Sequence, residues 1–187
     1  MRRFQMTLLF AILQIPGPNL LLRDYGRRAF PFLEQALEEV PAGQMLTLVF
    51  VDITVMDTSF AEETVIELAS RLIQGKYGDR MVLLDQPTPA TIDNLEGGMA
   101  RLRTKLALLI RENEEIRLIG HVEPNLIETW RLVYQKGELT ARMLADFLGL
   151  EINTASMRLH KLYKARLLLR REEITSEGRQ HVYVLPL

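Results

Sequence analysis

The sequence contains no cysteine and only three histidines among its 187 residues. The lack of cysteine excludes disulfide bonds and thiolate metal sites, and it fits a protein of the reducing cytoplasm. The histidines, His121, His160 and His181, lie far apart in the sequence, and none has a carboxylate or a second histidine at the spacing of metal ligands. We therefore expect no metal site and no cofactor.

Sequence patterns of common catalytic sites are also missing. There is no G-x-S-x-G serine motif and no glycine-rich phosphate loop, and the pair Gly97-Gly98 predicts only a weak point in a helix. Adjacent glutamates point in different directions, so we expect them on the solvated surface rather than in an acid–base pair. The sequence therefore favours a binding protein over an enzyme. The glutamate pairs are Glu38-Glu39, Glu62-Glu63, Glu114-Glu115 and Glu172-Glu173.

The sequence also lacks an apolar run of the ~20 residues that a membrane-spanning helix needs. The N-terminal run from Met6 to Ile15 follows Arg2 and Arg3 and has two interpretations. A signal peptide begins in this way, but Gln14 interrupts the run and there is no small-x-small cleavage pattern. A buried strand that ends at the turn Pro16-Gly17-Pro18 fits better. We expect a cytoplasmic protein without a membrane segment.

The two parts of the chain carry net charges of opposite sign. The whole chain has 23 lysines and arginines against 24 aspartates and glutamates, a formal net charge of −1. Residues 1–125 hold 13 basic and 17 acidic residues, a net charge of −4, whereas residues 126–187 hold 10 and 7, a net charge of +3. A basic module joined to an acidic one is typical of a regulator with a separate sensing domain.

Before Pro124, apolar runs typical of strands alternate with helical patterns. The clearest strand is the nearly continuous apolar run from Leu46 to Ile53, which is typical of a strand covered on both faces. The alternation predicts an α/β domain, with helices packed against a mixed sheet, over residues 1–123. The predicted strands are 4–15, 18–22, 46–53, 80–84, 106–110 and 116–119, and the predicted helices are 25–40, 61–74 and 90–104.

Residues 124–187 predict three helices followed by a hairpin. The first helix, 126–135, contains the only tryptophan, Trp130, which we expect in the core. Thr140 is suited to cap the second helix, and Gly149 to end it in a left-handed conformation. The third helix is predicted to begin near Asn153, as its cap, and to bury Ala155, Leu159 and Leu162. The predicted hairpin has extended runs at 167–174 and 181–185 around a glycine-containing turn at 175–180.

Residues 140–168, TARMLADFLGLEINTASMRLHKLYKARLL, resemble the run T-x-x-x-L-A-x-x-L-G-…-T-x-S-x-x-L-x-x-L of bacterial winged helix regulators. The resemblance implies an α+β winged helix-turn-helix domain over residues 124–187, whose third helix enters the major groove of DNA. Arg179, at the tip of the wing, would reach the DNA backbone or the minor groove. Arg166 stands where many of these proteins have glycine, so we expect a different turn there.

The resemblance also implies which side chains contact DNA. Polar and apolar groups on the exposed side of the third helix would face base edges, and basic groups on its flanks would neutralise phosphates. Winged helices also serve as protein-interaction modules, so a protein contact is the alternative interpretation. The implied base contacts are Asn153, Thr154, Ser156, Met157 and His160, the implied phosphate contacts are Arg158, Lys161 and Lys164, and Thr140, Arg142 and Arg179 complete the DNA-binding set.

The segment from Val49 to Glu63 resembles the STAS and STAS-like domains of bacterial signalling proteins, which have a strand, an acidic turn and then S-F-A-x-E at the start of a helix. The segment from Leu20 to Gly26 resembles the stretch that these families place before their first helix. The match covers about residues 18–85. It implies that the α/β domain, residues 1–123, is a sensor, a docking surface or a dimerisation platform rather than a catalyst.

Ser59 and its neighbour Thr58 have two interpretations. In the anti-sigma-antagonist branch, the resemblance implies that a partner kinase phosphorylates a serine at the position of Ser59, and the added charge gates the docking of a partner. Alternatively, Ser59 and Glu62 form a capping box that only starts the helix. Both interpretations remain open at this point.

Together these features predict a DNA-binding transcriptional regulator with a STAS-like regulatory or dimerisation domain. Its partners would be double-stranded DNA and, at the N-terminal domain, a kinase or an anti-sigma-like protein. We also expect a homodimer, because paired readers match palindromic sites. The alternative is a signalling adaptor of the anti-sigma-antagonist type, whose winged helix mediates contacts between proteins.

Overall fold

A computed structural model describes residues 2–175 and 178–186 of the chain. The chain divides into two compact units, Met1–His121 and Val122–Leu187. The division lies close to Pro124, where the sequence predicts the boundary between its domains. Each unit has its own helices and its own sheet.

The first unit is a mixed α/β structure, as the alternation of strands and helices predicts. Its third helix is interrupted by a π-helical turn. In chain order the elements are β1 (Arg2–Gln5), α1 (Leu8–Leu13), β2 (Asn19–Leu20), α2 (Arg23–Glu38), β3 (Gln44–Val49), β4 (Val55–Met56), α3 (Thr58–Ala61, then the π turn Glu62–Ile66 and Glu67–Ile73), β5 (Arg80–Asp85), α4 (Pro89–Arg101), β6 (Ala107–Glu112) and β7 (Glu115–Gly120).

The main sheet of the first unit is mixed, with the strand order β1-β3-β5-β6-β7. The first four strands are parallel, and β7 returns antiparallel to β6. The short strands β2 and β4 form a separate parallel pair. Because β1, β3, β5 and β6 are parallel neighbours, the chain crosses over between them through α1 to α4, which is the connection that parallel strands require.

One hydrophobic core joins the four helices of the first unit to one face of the main sheet. Leu46 and Leu48 of β3 belong to this core, together with Leu33 of α2 and Leu95 of α4. The intervening side chains of β3 are buried as well, so all its residues from Met45 to Val49 are shielded from solvent. This confirms the prediction of a strand covered on both faces.

The N-terminal apolar run forms a helix instead of the predicted strand at 4–15. Strand β1 ends at Gln5, and α1 follows from Leu8 to Leu13. Leu9 and Leu13, four residues apart, are buried, whereas Leu8 is exposed, which is the periodicity of an amphipathic helix. In so short and apolar a run, strand and helix periods are hard to distinguish, and packing against α2 decides for the helix.

The second unit contains three helices and a three-stranded antiparallel sheet. The sheet order is β8-β10-β9, and the pairing of β8 with β10 was not predicted. Residues 176 and 177 of the predicted hairpin turn lie outside the described residues. The elements are α5 (Pro124–Lys136), β8 (Glu138–Thr140), α6 (Ala141–Leu148), α7 (Ile152–Lys164), β9 (Leu169–Thr175) and β10 (Gly178–Val184).

The ends of α6 follow the sequence prediction, but the start of α7 does not. The Oγ1 of Thr140 accepts a hydrogen bond from the Met143 amide, and Gly149 ends α6 with a φ of 63°. Helix α7 begins at Ile152 with Glu151 as its cap residue, two residues before the predicted cap, because the carbonyl of Glu151 already accepts a helical bond from the Ala155 amide. The prediction that Asn153 caps this helix is therefore wrong, and Asn153 lies inside its first turn.

The core of the second unit forms around Trp130, which is only 2% exposed. Its ring stacks on Tyr134, and its Nε1 donates a hydrogen bond to the Leu167 carbonyl at 3.2 Å. This confirms the prediction that Trp130 is a core residue. The predicted buried stripe of α7 is also confirmed, since Ala155, Leu159 and Leu162 are fully buried.

Candidate nucleic-acid interface

Helix α7 presents an exposed stripe on the side opposite its buried residues. Asn153, Met157, His160 and Lys164 are all exposed, at helical spacings of four, three and four residues. We call these four residues the α7 stripe. It combines an amide, a thioether, an imidazole and an ammonium group, so it can donate hydrogen bonds, accept them and make apolar contacts.

A cleft of about 460 Å³ opens beside the α7 stripe, between the start of α6, the start of α7 and strand β10. We call it the wing cleft. It brings together four of the predicted DNA-binding residues, one each from β8, α6, α7 and β10. Its lining residues are Thr140, Ala141, Arg142, Met143, Asp146, Ile152, Ser156, Gly178, Arg179, Gln180, His181 and Tyr183.

Strand pairing explains why the wing cleft forms where it does. Thr140 of β8 pairs with Val182 of β10, so the strand that leads into α6 lies beside β10. Arg179 and His181 lie two residues apart on β10, so their side chains share one face of the strand, and both line the cleft. Arg142, in the first turn of α6, is therefore held near the two basic residues of β10.

Two predicted phosphate contacts lie on the flank of α7 that faces α5. Arg158 is only 17% exposed, and its Nη1 donates a hydrogen bond to Glu128 of α5 at 3.2 Å. The Nζ of Lys161 donates to Glu123 at 3.4 Å. Thr154 is half-buried on the same helix. The α7 stripe and the wing cleft therefore include neither Arg158 nor Lys161, and acidic neighbours offset both of their charges.

The sheet of the second unit carries basic and acidic side chains side by side. Arg179 is exposed and lies 3.5 Å from Glu172 across the hairpin. Arg171 forms ion pairs with Glu138 and Glu173. Ion pairs between exposed groups contribute little energy, so a stronger anion can displace the carboxylates from these guanidinium groups.

Two arginines that follow α7, Arg166 in the loop and Arg170 in β9, were not among the predicted site residues. The guanidinium groups of Arg166 and Arg170 lie 5.3 and 4.4 Å from the centre of the Tyr163 ring. Arg166 has a φ of 58°, the left-handed conformation that glycine adopts most readily. In the sequence, Arg166 and Arg170 follow Tyr163 by three and seven residues. This spacing could have indicated the basic cluster.

Other residues of the wing cleft were also missed by the sequence analysis. Ile152 follows directly on the loop after α6, and its side chain is 52% exposed at the cleft. His181 was considered only as a metal ligand, although it shares the face of β10 with Arg179. The sequence prediction did not place Arg179 and His181 together, because it assigned 175–180 to a turn, whereas β10 already begins at Gly178.

In the first unit, Asp57 rather than Ser59 caps helix α3. The Oδ1 of Asp57 accepts hydrogen bonds from the Phe60 amide at 2.7 Å and from the Ser59 hydroxyl at 2.9 Å. Its Oδ2 accepts a third from the Leu22 amide at 2.9 Å. The predicted capping box of Ser59 and Glu62 is therefore wrong, because the helix begins at Thr58 and Asp57 reaches its free amides first.

Thr58, the second predicted switch residue, is held by a neighbouring helix. Its hydroxyl Oγ1 donates a hydrogen bond to the Oδ1 of Asn94 on α4 at 3.2 Å. Ser59 and Thr58 are both half-buried. The hydroxyl groups of the two residues thus take part in local hydrogen bonds at the start of α3.

Glu62 lies in an ion-pair cluster that joins three helices, and it is only 7% exposed. Its carboxylate accepts hydrogen bonds from Arg101 of α4 and Arg23 of α2, and Arg23 also binds Glu63. Arg101, and then Arg23, hold the pKa of Glu62 below its usual value, against the effect of burial. The expectation of a solvated Glu62 is therefore wrong, because two arginines distant in sequence compensate its burial.

Comparisons with known proteins do not assign the chain. The sequence matches no protein-family model and no curated protein. Within residues 2–175 and 178–186, no three His, Asp or Glu residues are grouped to hold a metal ion, and no helix is long and apolar enough to cross a membrane. The functional assignment therefore depends on the surface of the second unit.

Proposed function

We propose that the protein is a cytoplasmic, DNA-binding transcriptional regulator rather than an enzyme. In this proposal the second unit is a winged helix-turn-helix reader, and the first unit is a STAS-like regulatory or dimerisation domain. The observation that carries the proposal is the α7 stripe beside the wing cleft, where exposed hydrogen-bonding groups lie next to Arg142 and Arg179. Base-reading groups framed by cations are what a DNA-binding surface requires.

The arrangement of elements in the second unit supports the reader. Helices α6 and α7 are joined by a short turn at Gly149, and the hairpin of β9 and β10 follows α7. Helix α7 has 13 residues, so it is about 20 Å long. An exposed helix of this length fits the major groove, where each base pair presents a distinct pattern of donors, acceptors and methyl groups.

The distribution of charge also supports DNA as the partner. Residues 126–187 carry a net charge of +3 on a chain whose net charge is −1. Lys164 extends the α7 stripe, and Arg142, Arg179 and His181 line the wing cleft. Exposed cations at these positions can bind phosphates.

The first unit offers apolar surface for a partner or for a second copy. Leu22 and Leu8 are more than half exposed, and a partner that covers them would remove their apolar surface from water. A homodimer would present two readers to the two halves of a palindromic operator. A kinase or an anti-sigma-like protein is the other partner that the STAS-like segment favours. The exposed apolar residues of this unit are Leu8, Ile12, Leu21, Leu22, Phe32, Val51 and Leu102.

A second candidate function is a signalling adaptor whose second unit binds protein. Two observations favour it. Carboxylates pair with Arg158, Lys161 and Arg171, which lowers the positive potential of this unit. In addition, Met143 and Phe147 of α6 are exposed apolar side chains, which suit a protein contact.

The test is the binding of the full chain to mixed-sequence duplex DNA, measured by fluorescence anisotropy over a series of salt concentrations. The variant Lys164→Gln/Arg179→Gln removes one cation from the α7 stripe and one from the wing cleft. The charge-matched control Arg103→Gln/Lys105→Gln removes two exposed cations from the first unit. We expect the first variant to bind more weakly and to reduce the slope of log K against log salt by about 2, since each lost phosphate contact removes about 0.9.

The proposal predicts that the control variant binds like the wild type. If the wild type does not bind duplex DNA at low salt, or if both variants weaken binding equally, DNA recognition by this surface is refuted. Affinity capture with the full chain, and with a variant of Met143 and Phe147, would then test the adaptor function.

A further inference from the structure

Met157 is an exposed apolar side chain at the centre of an otherwise polar stripe. It is 62% exposed, and its nearest neighbours on the α7 stripe are Asn153, one turn before it, and His160, one turn after it. Its exposure means that the core of the second unit is complete without it. If the stripe reads bases, an apolar group exposed at its centre is placed to contact an apolar group of a base.

The major groove contains one apolar group that such a side chain can meet, the 5-methyl group of thymine. Methionine suits this contact because it is unbranched, has three rotatable bonds and carries a polarisable thioether. Asn153 lies about 6 Å away along the helix axis, since four residues rise by 1.5 Å each. That distance corresponds to about two base-pair steps of 3.4 Å.

The two side chains select the same kind of base pair. An asparagine amide can form two hydrogen bonds with N6 and N7 of adenine, and the partner of adenine is thymine. We propose that the α7 stripe recognises A·T base pairs, with Met157 on a thymine 5-methyl group and Asn153 on an adenine within two base steps. This inference rests on the proposed DNA-binding function and specifies its ligand.

The experiment begins with duplexes selected from a random pool by the full-length wild-type protein. The selected sequences are then synthesised in two forms, one with thymine and one with deoxyuridine, which lacks only the methyl group. Competition between the two forms gives the ratio of their affinities. For the wild type we expect the thymine form to bind about fourfold more tightly for each methyl group contacted, from the free energy of burying one methyl group.

Two variants show whether Met157 causes the preference. In Met157→Ala the ratio of the two affinities should fall to about 1, because the smaller side chain cannot reach the methyl group. Leu102→Ala, which truncates an exposed apolar residue of the first unit, should retain the wild-type ratio. Asn153→Ala should bind with a normal thymine-to-uracil ratio but lose its preference for adenine at one position of the selected sequence.

The outcomes separate this inference from the proposed function. If the wild type selects sequences but binds both forms equally, or if Met157→Ala keeps the preference, the methyl contact is refuted and DNA binding stands. If no sequence is enriched and no duplex binds at low salt, the proposed function is refuted and the inference falls with it.

Discussion

Replacing Glu34 by glutamine tests an ion-pair network that joins α2 to the end of α3. The Oε1 of Glu34 accepts hydrogen bonds from Arg71 at 2.9 Å, from Lys76 at 2.6 Å and from the hydroxyl group of Tyr77. Desolvation, and then the hydrogen bond to Glu34, raises the pKa of Tyr77. Three donors thus converge on one carboxylate oxygen, and glutamine keeps the size of the side chain while removing its charge.

The pKa of Glu34 gives the magnitude of the effect. It is lowered from 4.5 to about 2, chiefly by the hydrogen bond from Lys76 and then by that from Tyr77. At about 1.4 kcal/mol for each pKa unit, the network stabilises the fold by at most about 3.5 kcal/mol at neutral pH. Because 47% of the Lys76 side chain is exposed, solvent screening reduces this figure to about 2 kcal/mol.

The sign of the pH dependence follows from the lowered pKa. The stabilisation is complete above the unfolded-state pKa of 4.5 and is lost as the pH falls through the folded-state value of about 2. We therefore expect Glu34→Gln to lower the free energy of unfolding by about 2 kcal/mol at neutral pH. The difference from the wild type should shrink steadily below the unfolded-state pKa, because glutamine mimics the protonated carboxyl group.

Urea unfolding followed by far-ultraviolet circular dichroism, repeated across this pH range, measures the difference. The control is Glu38→Gln, an exposed position one turn further along α2, which should leave the free energy of unfolding nearly unchanged. A difference between wild type and Glu34→Gln that is the same at neutral pH and in acid would refute the reasoning. So would an equal loss of stability in both variants.

Two further predictions concern the glycine pair in α4 and the residue that caps α6. Gly97→Ala should stabilise the first unit by about 0.5–1 kcal/mol through helix propensity, since no atom outside the adjoining helix backbone lies within 4 Å of the added Cβ. Gly98→Ala should destabilise it by about 1 kcal/mol, because its Cβ would lie 2.8 Å from the Ile66 side chain. Urea unfolding of both variants measures these opposite changes. Thr140→Ala should cost the second unit about 1 kcal/mol by removing the cap of α6, measured through Trp130 fluorescence, with Thr140→Ser close to wild type.

Features that depend on neighbouring residues in the sequence were predicted well. The buried stripe of α7 follows from the helical spacing of Ala155, Leu159 and Leu162, and each of these side chains is fully buried. Thr140 and Gly149 bound α6 through their own backbone chemistry. In these cases the energy that decides the structure comes from contacts within one or two helical turns.

Features that depend on distant residues could not be predicted from a local pattern. Glu62 is buried because Arg23 and Arg101, both 39 residues away, reach its carboxylate. Strand β8 exists because β10, more than 40 residues later, supplies hydrogen-bond partners for it. Neither a pair of glutamates nor a three-residue extended segment indicates which distant residues will contact it. Only the fold brings these residues and their partners together.

The free-energy cost of a phosphate contact differs between the two flanks of α7, so the predicted phosphate contacts are not equally favourable. On the α5 flank, Arg158 and Lys161 must first leave Glu128 and Glu123, and Arg158 is largely shielded from solvent. On the other flank, Arg142 and Arg179 of the wing cleft are exposed, and Lys164 is exposed on the α7 stripe between the two flanks. Because breaking a shielded ion pair leaves a desolvated charge behind, a phosphate binds the open flank at lower cost. A duplex held by this unit should therefore be contacted by phosphate-binding cations from the wing-cleft side of α7 rather than from its α5 flank.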